Sequence, residues 1–298
     1  MTDWRNLLLD DTVRPTPELV AELSADLRSA DPVVRDEQAY VLLSRWIPDL
    51  PSAIRASLGS EMATRFTDPE IQSRTFAPLI LTALVRRGDY DRSWETAFAR
   101  WYPAETDLRG YDAKLGWLHA VAHGADLLGA LGRCPRTDPV PLLDLACARL
   151  IAPTTHLFDA MEDDRLGLAI ALTLTRPELT EQQSVEWLKP IVADFEAGEP
   201  GPVPAHASNT MRTRGCSTCS PTEGSGRTPT PASRWPSAMP GRYARPWRRR
   251  SPSLPRTPDS REAVEGVGAR PPAPPGYVTP SRPPPDRVAT SARRSPCR

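Results

Sequence analysis

Two histidines four residues apart set the chemical question for this chain. The stretch from Glu105 to Leu128, ETDLRGYDAKLGWLHAVAHGADLL, concentrates acids, an arginine, two imidazoles and a tryptophan as no other segment does. Read as one helix at 100° per residue, it places Asp112, His119, His123 and Asp126 within an arc of roughly 60°. Leu118, Ala122 and Ala125 form the adjoining apolar stripe. The imidazoles and carboxylates are therefore expected at the edge of the buried face. Histidines at i and i+4 can present two ring nitrogens to one ion, and Asp126 can supply a third ligand. The set His119, His123 and Asp126 suits a divalent metal such as zinc. Glu105 or Glu162 would complete it, or act as a base on a metal-bound water. The pattern HExxH is absent, because Ala120 stands where its glutamate would be.

The same residues support a structural reading. Buried polar groups need partners, so Arg109 would pair with an acid and the histidines would bond across helices. Glu105, Asp107 and Arg109 precede the helix, where acids suit its positive end. They would equally serve as a pocket rim, with the arginine holding an anionic ligand. Glu162, Asp163, Asp164 and Arg165 invite the same two readings. Trp117, beside His119, would floor a cavity. Arg35, Asp36 and Glu37 resemble the arginine–acid ladders of helical arrays and read as structural. His156 and Cys147 have no companion motif. Phosphate-binding loops, dinucleotide glycine fingerprints and Gly-x-Ser-x-Gly elbows are missing.

Helices must position these groups. Thr16-Pro17-Glu18 is a cap, a first-turn proline and a first-turn acid. Asp31-Pro32 and Asp68-Pro69 repeat the device, and Gly88 marks a helix end. Leu19, Val20, Leu23 and Leu27, then Val34, Ala39, Leu42, Leu43 and Trp46, recur at helical spacing. Further helices are predicted over about 91–101, 141–151 and 161–175. Thr180 with Gln183 forms a capping box for a last one through Trp187 to Phe195. Strand signals are almost absent. The fold class expected is all-α: antiparallel helix pairs in a HEAT-like α-solenoid or a compact helical bundle, followed by a disordered tail.

The 37 basic and 37 acidic residues cancel only on average, because an acidic front part precedes an Arg-rich tail. Neither half signals specific nucleic-acid binding. No stretch approaches the ~20 apolar residues of a membrane span, and the acidic N-terminus lacks a secretory pattern. A cytoplasmic protein with free cysteines is expected.

RDEQAYVLLSRWI (Arg35–Ile47), RTFAPLILTAL (Arg74–Leu84), the central stretch and EDDRLGLAI (Glu162–Ile170) resemble a bacterial family, the domain-of-unknown-function family 2785 (DUF2785). The likeness runs from about Asp31 to Thr213. It implies a helical domain and brings no activity, so no catalytic residue is carried over. It would continue through an NTMRTLRGLLYVL-like segment, whereas this chain departs after Asn209-Thr210-Met211-Arg212-Thr213.

From residue 199 onward Pro, Arg, Ser, Thr and Gly dominate, a composition expected to stay disordered. The domains expected are a helical one over 1–212 and a Pro/Arg-rich tail over 213–298. With GC-rich codons, Gly215–Gly224 read one frame over gives Leu-Leu-Tyr-Val-Leu-Ala-Asp-Arg-Gly, a helix with a glycine stop. Arg242–Ser253 yields a second helical pattern in that frame. A frameshift after about Thr213 accounts for both. The Cys216-Ser-Thr-Cys219 spacing falls in the shifted stretch and is discounted as a metal site.

Two functions stay open. One is a binding or scaffold domain with a buried His/Asp/Arg network, taking a protein or small-molecule ligand. The alternative is a metal-dependent, hydrolase-like enzyme on His119, His123 and Asp126.

Overall fold

A computed structural model describes residues 4–10 and 12–217. The N-terminal helices are α1 (Trp4–Leu9) and α2 (Pro17–Asp26), then a π-helical stretch (Val33–Tyr40) that runs into α3 (Val41–Trp46) and a short 3₁₀ turn (Ile47–Asp49). Thr16 caps α2 through its hydroxyl. Next come α4 (Ser52–Arg65), α5 (Ile71–Arg87) and α6 (Arg92–Trp101). Gly88, at φ 103°, ends α5 as the left-handed C-cap that glycine adopts without strain.

A small antiparallel hairpin of β1 (Tyr111–Asp112) and β2 (Gly116–Trp117) follows, pairing Tyr111 with Trp117. Then come α7 (Ala120–Arg133), α8 (Pro139–Ile151), α9 (Glu162–Leu174), α10 (Glu181–Glu186), α11 (Lys189–Glu196) and α12 (Ala205–Ser217). The fold is all-α apart from that hairpin. Among the described residues, no helix is long and apolar enough to cross a membrane.

The core is built around α7, where 12 of 14 residues are buried. That explains the loss of a one-sided apolar stripe: a helix covered all round has no solvent face to pattern. It packs between α5 and α9, α9 packs on α12, and α8 lies against α7, α9 and α12. Small residues allow the close approach. A Cβ on Gly124 would lie 2.1 Å from the Tyr102 ring, and one on Gly132 2.1 Å from Thr173 Oγ1. Tyr102 is buried and donates to the Val121 carbonyl at 2.8 Å.

Three expectations need correction. The central helix begins at Ala120, so Asp112 and His119 do not share a helix face with His123 and Asp126. The turn residues Asp112 to Gly116 bend the chain into the hairpin instead. The Asp112 Oδ1 accepts from the amides of Lys114 (2.8 Å) and Leu115 (2.9 Å), and Gly116 takes φ 73°. The helix predicted from Thr180 to Phe195 is two helices, because Pro190 in the first turn of α11 cannot continue the bonds of α10. Residues 205–217 form α12 despite their composition. Its buried positions Asn209, Thr210 and Thr213 are polar and each finds a hydrogen-bond partner. The frameshift, the disordered tail beyond 217 and the Cys216–Cys219 spacing involve positions outside the described residues.

Candidate functional site

Polar groups of the central stretch divide by whether the protein satisfies them. Glu105 is satisfied completely. Its oxygens accept from Arg74 Nε (2.6 Å) and Nη2 (3.1 Å), from Trp101 Nε1 (2.8 Å), and from the amides of Thr106 (3.0 Å) and Asp107 (2.9 Å). Burial pushes its carboxyl up, but these donors outweigh burial and hold it below its ordinary range. No lone pair is left for a metal or substrate, so Glu105 anchors the loop after α6.

Asp107 and Asp112 both grip Arg109, at 2.6 and 2.5 Å, in an exposed cluster that occupies the guanidinium. Asp126 is held by Arg165 through both oxygens. His123 is buried, its Nδ1 lies 2.9 Å from the Thr75 carbonyl, and its ring meets Phe76 edge-on at 5.5 Å. Because a carbonyl only accepts, that nitrogen carries the proton. Burial above all, then the positive charge of Arg165, pushes the His123 pKa well down, so the ring is neutral.

The other residues converge on Glu162, the first residue of α9, which is 0% exposed. One of its oxygens accepts from the Ala160 amide at 2.7 Å. The other, Oε1, has no hydrogen-bond partner. It faces His119 Nδ1 at 3.7 Å, too long for a hydrogen bond, and that nitrogen is itself buried and unpartnered. His156 Nε2 is a third such atom. His156, Asp159 and Glu162 bring one ligand atom each within 4.8 Å of one another. The Glu162 carboxyl lies below its ordinary range: burial raises it, and the His119 imidazole and the amides of Glu162 and Ala160 outweigh that.

The backbone at the cluster is held in sparsely populated conformations. Among the described residues, His119 (φ 50°) and Met161 (φ 66°), the residues before α7 and α9, are the non-glycine residues with positive φ. Such positions cost on the order of 1–3 kcal/mol and persist only when their surroundings impose them. Gly110 permits the contact: a Cβ there would meet Ala160 Cβ at 2.6 Å and Glu162 Oε1 at 3.0 Å.

Arg35 holds the hairpin from the other side. Its buried guanidinium donates to the Ser29 carbonyl (3.0 Å) and the Leu115 carbonyl (2.5 Å) and pairs with Asp36 (2.7 Å). From α12, Asn209 fixes the loop carrying His156 and Asp159. Its Oδ1 accepts from the Phe158 amide at 2.8 Å and its Nδ2 donates to the His156 carbonyl at 2.9 Å.

Trp117 stacks flat on His119, at 4.4 Å and 3°, with Tyr111 edge-on to it. At 47% exposure it covers His119 from the solvent side. The predicted trio His119, His123 and Asp126 is thus divided: His119 joins the Glu162 cluster, while His123 and Asp126 are engaged elsewhere. His156 and Asp159 were missed. Their signal was the spacing His156-x-x-Asp159-x-x-Glu162, which ends at the predicted start of α9.

No curated protein and no solved structure matches the chain. Residues 62–215, which include every member of this cluster and more than half of the chain, match the family model described as "Protein of unknown function (DUF2785)", and the chain belongs to that family.

Proposed function

We propose that this is a helical binding domain whose ligand site is the cluster of His119, His156, Asp159 and Glu162. The observation that carries this reading is that Glu162 Oε1 and His119 Nδ1, 3.7 Å apart, are both buried without a hydrogen-bond partner, as is His156 Nε2, and that His156, Asp159 and Glu162 bring one ligand atom each within 4.8 Å of one another. An orphaned buried polar atom costs roughly 1–3 kcal/mol. Glu105, His123 and Asp126 are nearby acids and imidazoles that the protein does satisfy, which supports a division between groups that hold the fold and groups that await a partner. The exposed apolar side chains of Trp117, Leu157 and Met161 flank the cluster in sequence and would suit the body of a small organic ligand. The succession α5, α7, α9 and α12 supports the finer description as a HEAT-like array. The buried free thiols of Cys134 and Cys147 support a cytoplasmic setting.

A screen of small anionic and imidazole-type fragments, read by NMR on the histidine ring carbons, tests the site. Hits are expected to shift His119 and His156 together. His206, already paired with Asp194 at 3.1 Å, should stay still. Hits that move only His206, or none of the histidines, would remove the support for this location.

A further inference from the structure

We propose that His156, Asp159 and Glu162 hold a divalent transition-metal ion, with His119 beside it. The proposal rests on the reading of this cluster as a ligand site and names the ligand. Ligands on one tetrahedral ion, with bonds of about 2.0–2.2 Å, stand about 3.4 Å apart. The ligand atoms of the trio already lie within 4.8 Å of one another. Asp159 is exposed and free to close the difference, whereas Glu162 is fully buried and held by the Ala160 amide.

The second, independent observation is Glu162 Oε1, a buried carboxylate oxygen without a hydrogen-bond partner, pointing at an imidazole nitrogen that also lacks one. Two carboxylates would neutralise a doubly charged ion, which leaves no net charge beside the buried Glu162. An imidazole with two carboxylates is a nitrogen–oxygen set that suits zinc, manganese or ferrous iron. The free cysteines Cys134 and Cys147 are not in the group, so nothing here selects a thiolate-preferring metal.

The Ala160 amide supplies an outer hydrogen bond to the Glu162 carboxylate, and Asn209 holds the backbone of the loop that carries His156 and Asp159. Three protein ligands leave coordination positions open, as in sites where a metal meets a further molecule and unlike closed structural sites.

The test uses full-length protein made without a polyhistidine tag, stripped with chelator, and titrated separately with MnCl2 and ZnCl2 by calorimetry. One ion per chain is expected. Asp159→Asn and His156→Ala should each weaken binding by about tenfold or more, the range seen when metal-ligand shells are disturbed. Asp159→Asn alters an exposed side chain and keeps the fold measurable. Manganese, a hard ion, discriminates against the thiols of Cys216 and Cys219. Absence of binding to the wild type, or wild-type affinity in both variants, overturns the metal assignment. If metals fail while fragments still shift His119 and His156, the metal falls and the ligand site stands. If both fail, both readings fall.

Discussion

Glu105→Ala should destabilise the domain by about 3–5 kcal/mol, the usual cost of removing one partner from a buried ion pair. For a domain of this size that is a fall in Tm on the order of 10 °C. The variant strands the Arg74 guanidinium, the Trp101 indole N–H and the amides of Thr106 and Asp107, all of which now donate to the carboxylate. Arg149 braces the same turn by donating to the carbonyls of Tyr102 (3.0 Å) and Glu105 (2.9 Å), so the loss spreads into the core.

The effect has a pH signature. The folded-state pKa of Glu105 is depressed below its reference value of 4.5. Its contribution is therefore fully present above pH 4.5 and is lost as pH falls through the lower, folded value. The gap in unfolding free energy between wild type and variant should be constant near neutrality and narrow below pH 4.5. A gap that stays flat into acid would contradict the ion-pair account.

Asn209→Ala comes second in expected size, at about 2–4 kcal/mol, because a buried amide loses its partner at about 1–3 kcal/mol and a part-buried carbonyl loses a bond of about 1 kcal/mol. Those groups are the Phe158 amide and the His156 carbonyl. Asn209→Asp supplies an internal control. It keeps an oxygen for the Phe158 amide but sets a second carboxylate oxygen against the His156 carbonyl at a fully buried position, so it should cost at least as much as alanine. Amide exchange over residues 156–160 should accelerate in the same order. Equal exchange in all three proteins would mean that α12 does not hold this loop.

Much of the helical framework was legible because caps and stops are local chemistry. Thr16 and Thr180 each accept from a first-turn amide of the helix they were read to cap, whereas α5 starts at Ile71, past Asp68-Pro69, with no side-chain cap. The hairpin was not legible. It depends on Asp112 turning the chain, on Gly116 lying against Pro32, and on Arg35 reaching across 80 residues to Leu115. Helical phase analysis of 105–128 therefore placed Asp112 and His119 on a face that does not exist.

Composition misjudged α12 for a related reason. Its buried Asn209 and Thr210 are polar and matched to distant partners, and hydropathy cannot register a matched amide. Glu162 was within reach as an acid beside the histidines. His156 and Asp159 offered only their spacing to Glu162, because the irregular loop held by Asn209 has no helical pattern to read.

The central claim is that His119, His156, Asp159 and Glu162 await a ligand while His123 and its neighbours hold the fold. Urea unfolding of metal-free His123→Ala and His156→Ala separates these roles most directly. His123→Ala removes the Thr75 contact and the Phe76 packing, and should cost about 2–4 kcal/mol. The His156 side chain makes no ring hydrogen bond through Nε2, and its loss should cost less than about 1 kcal/mol. A loss in His156→Ala as large as that in His123→Ala would show that the imidazole supports the fold, and would contradict the site.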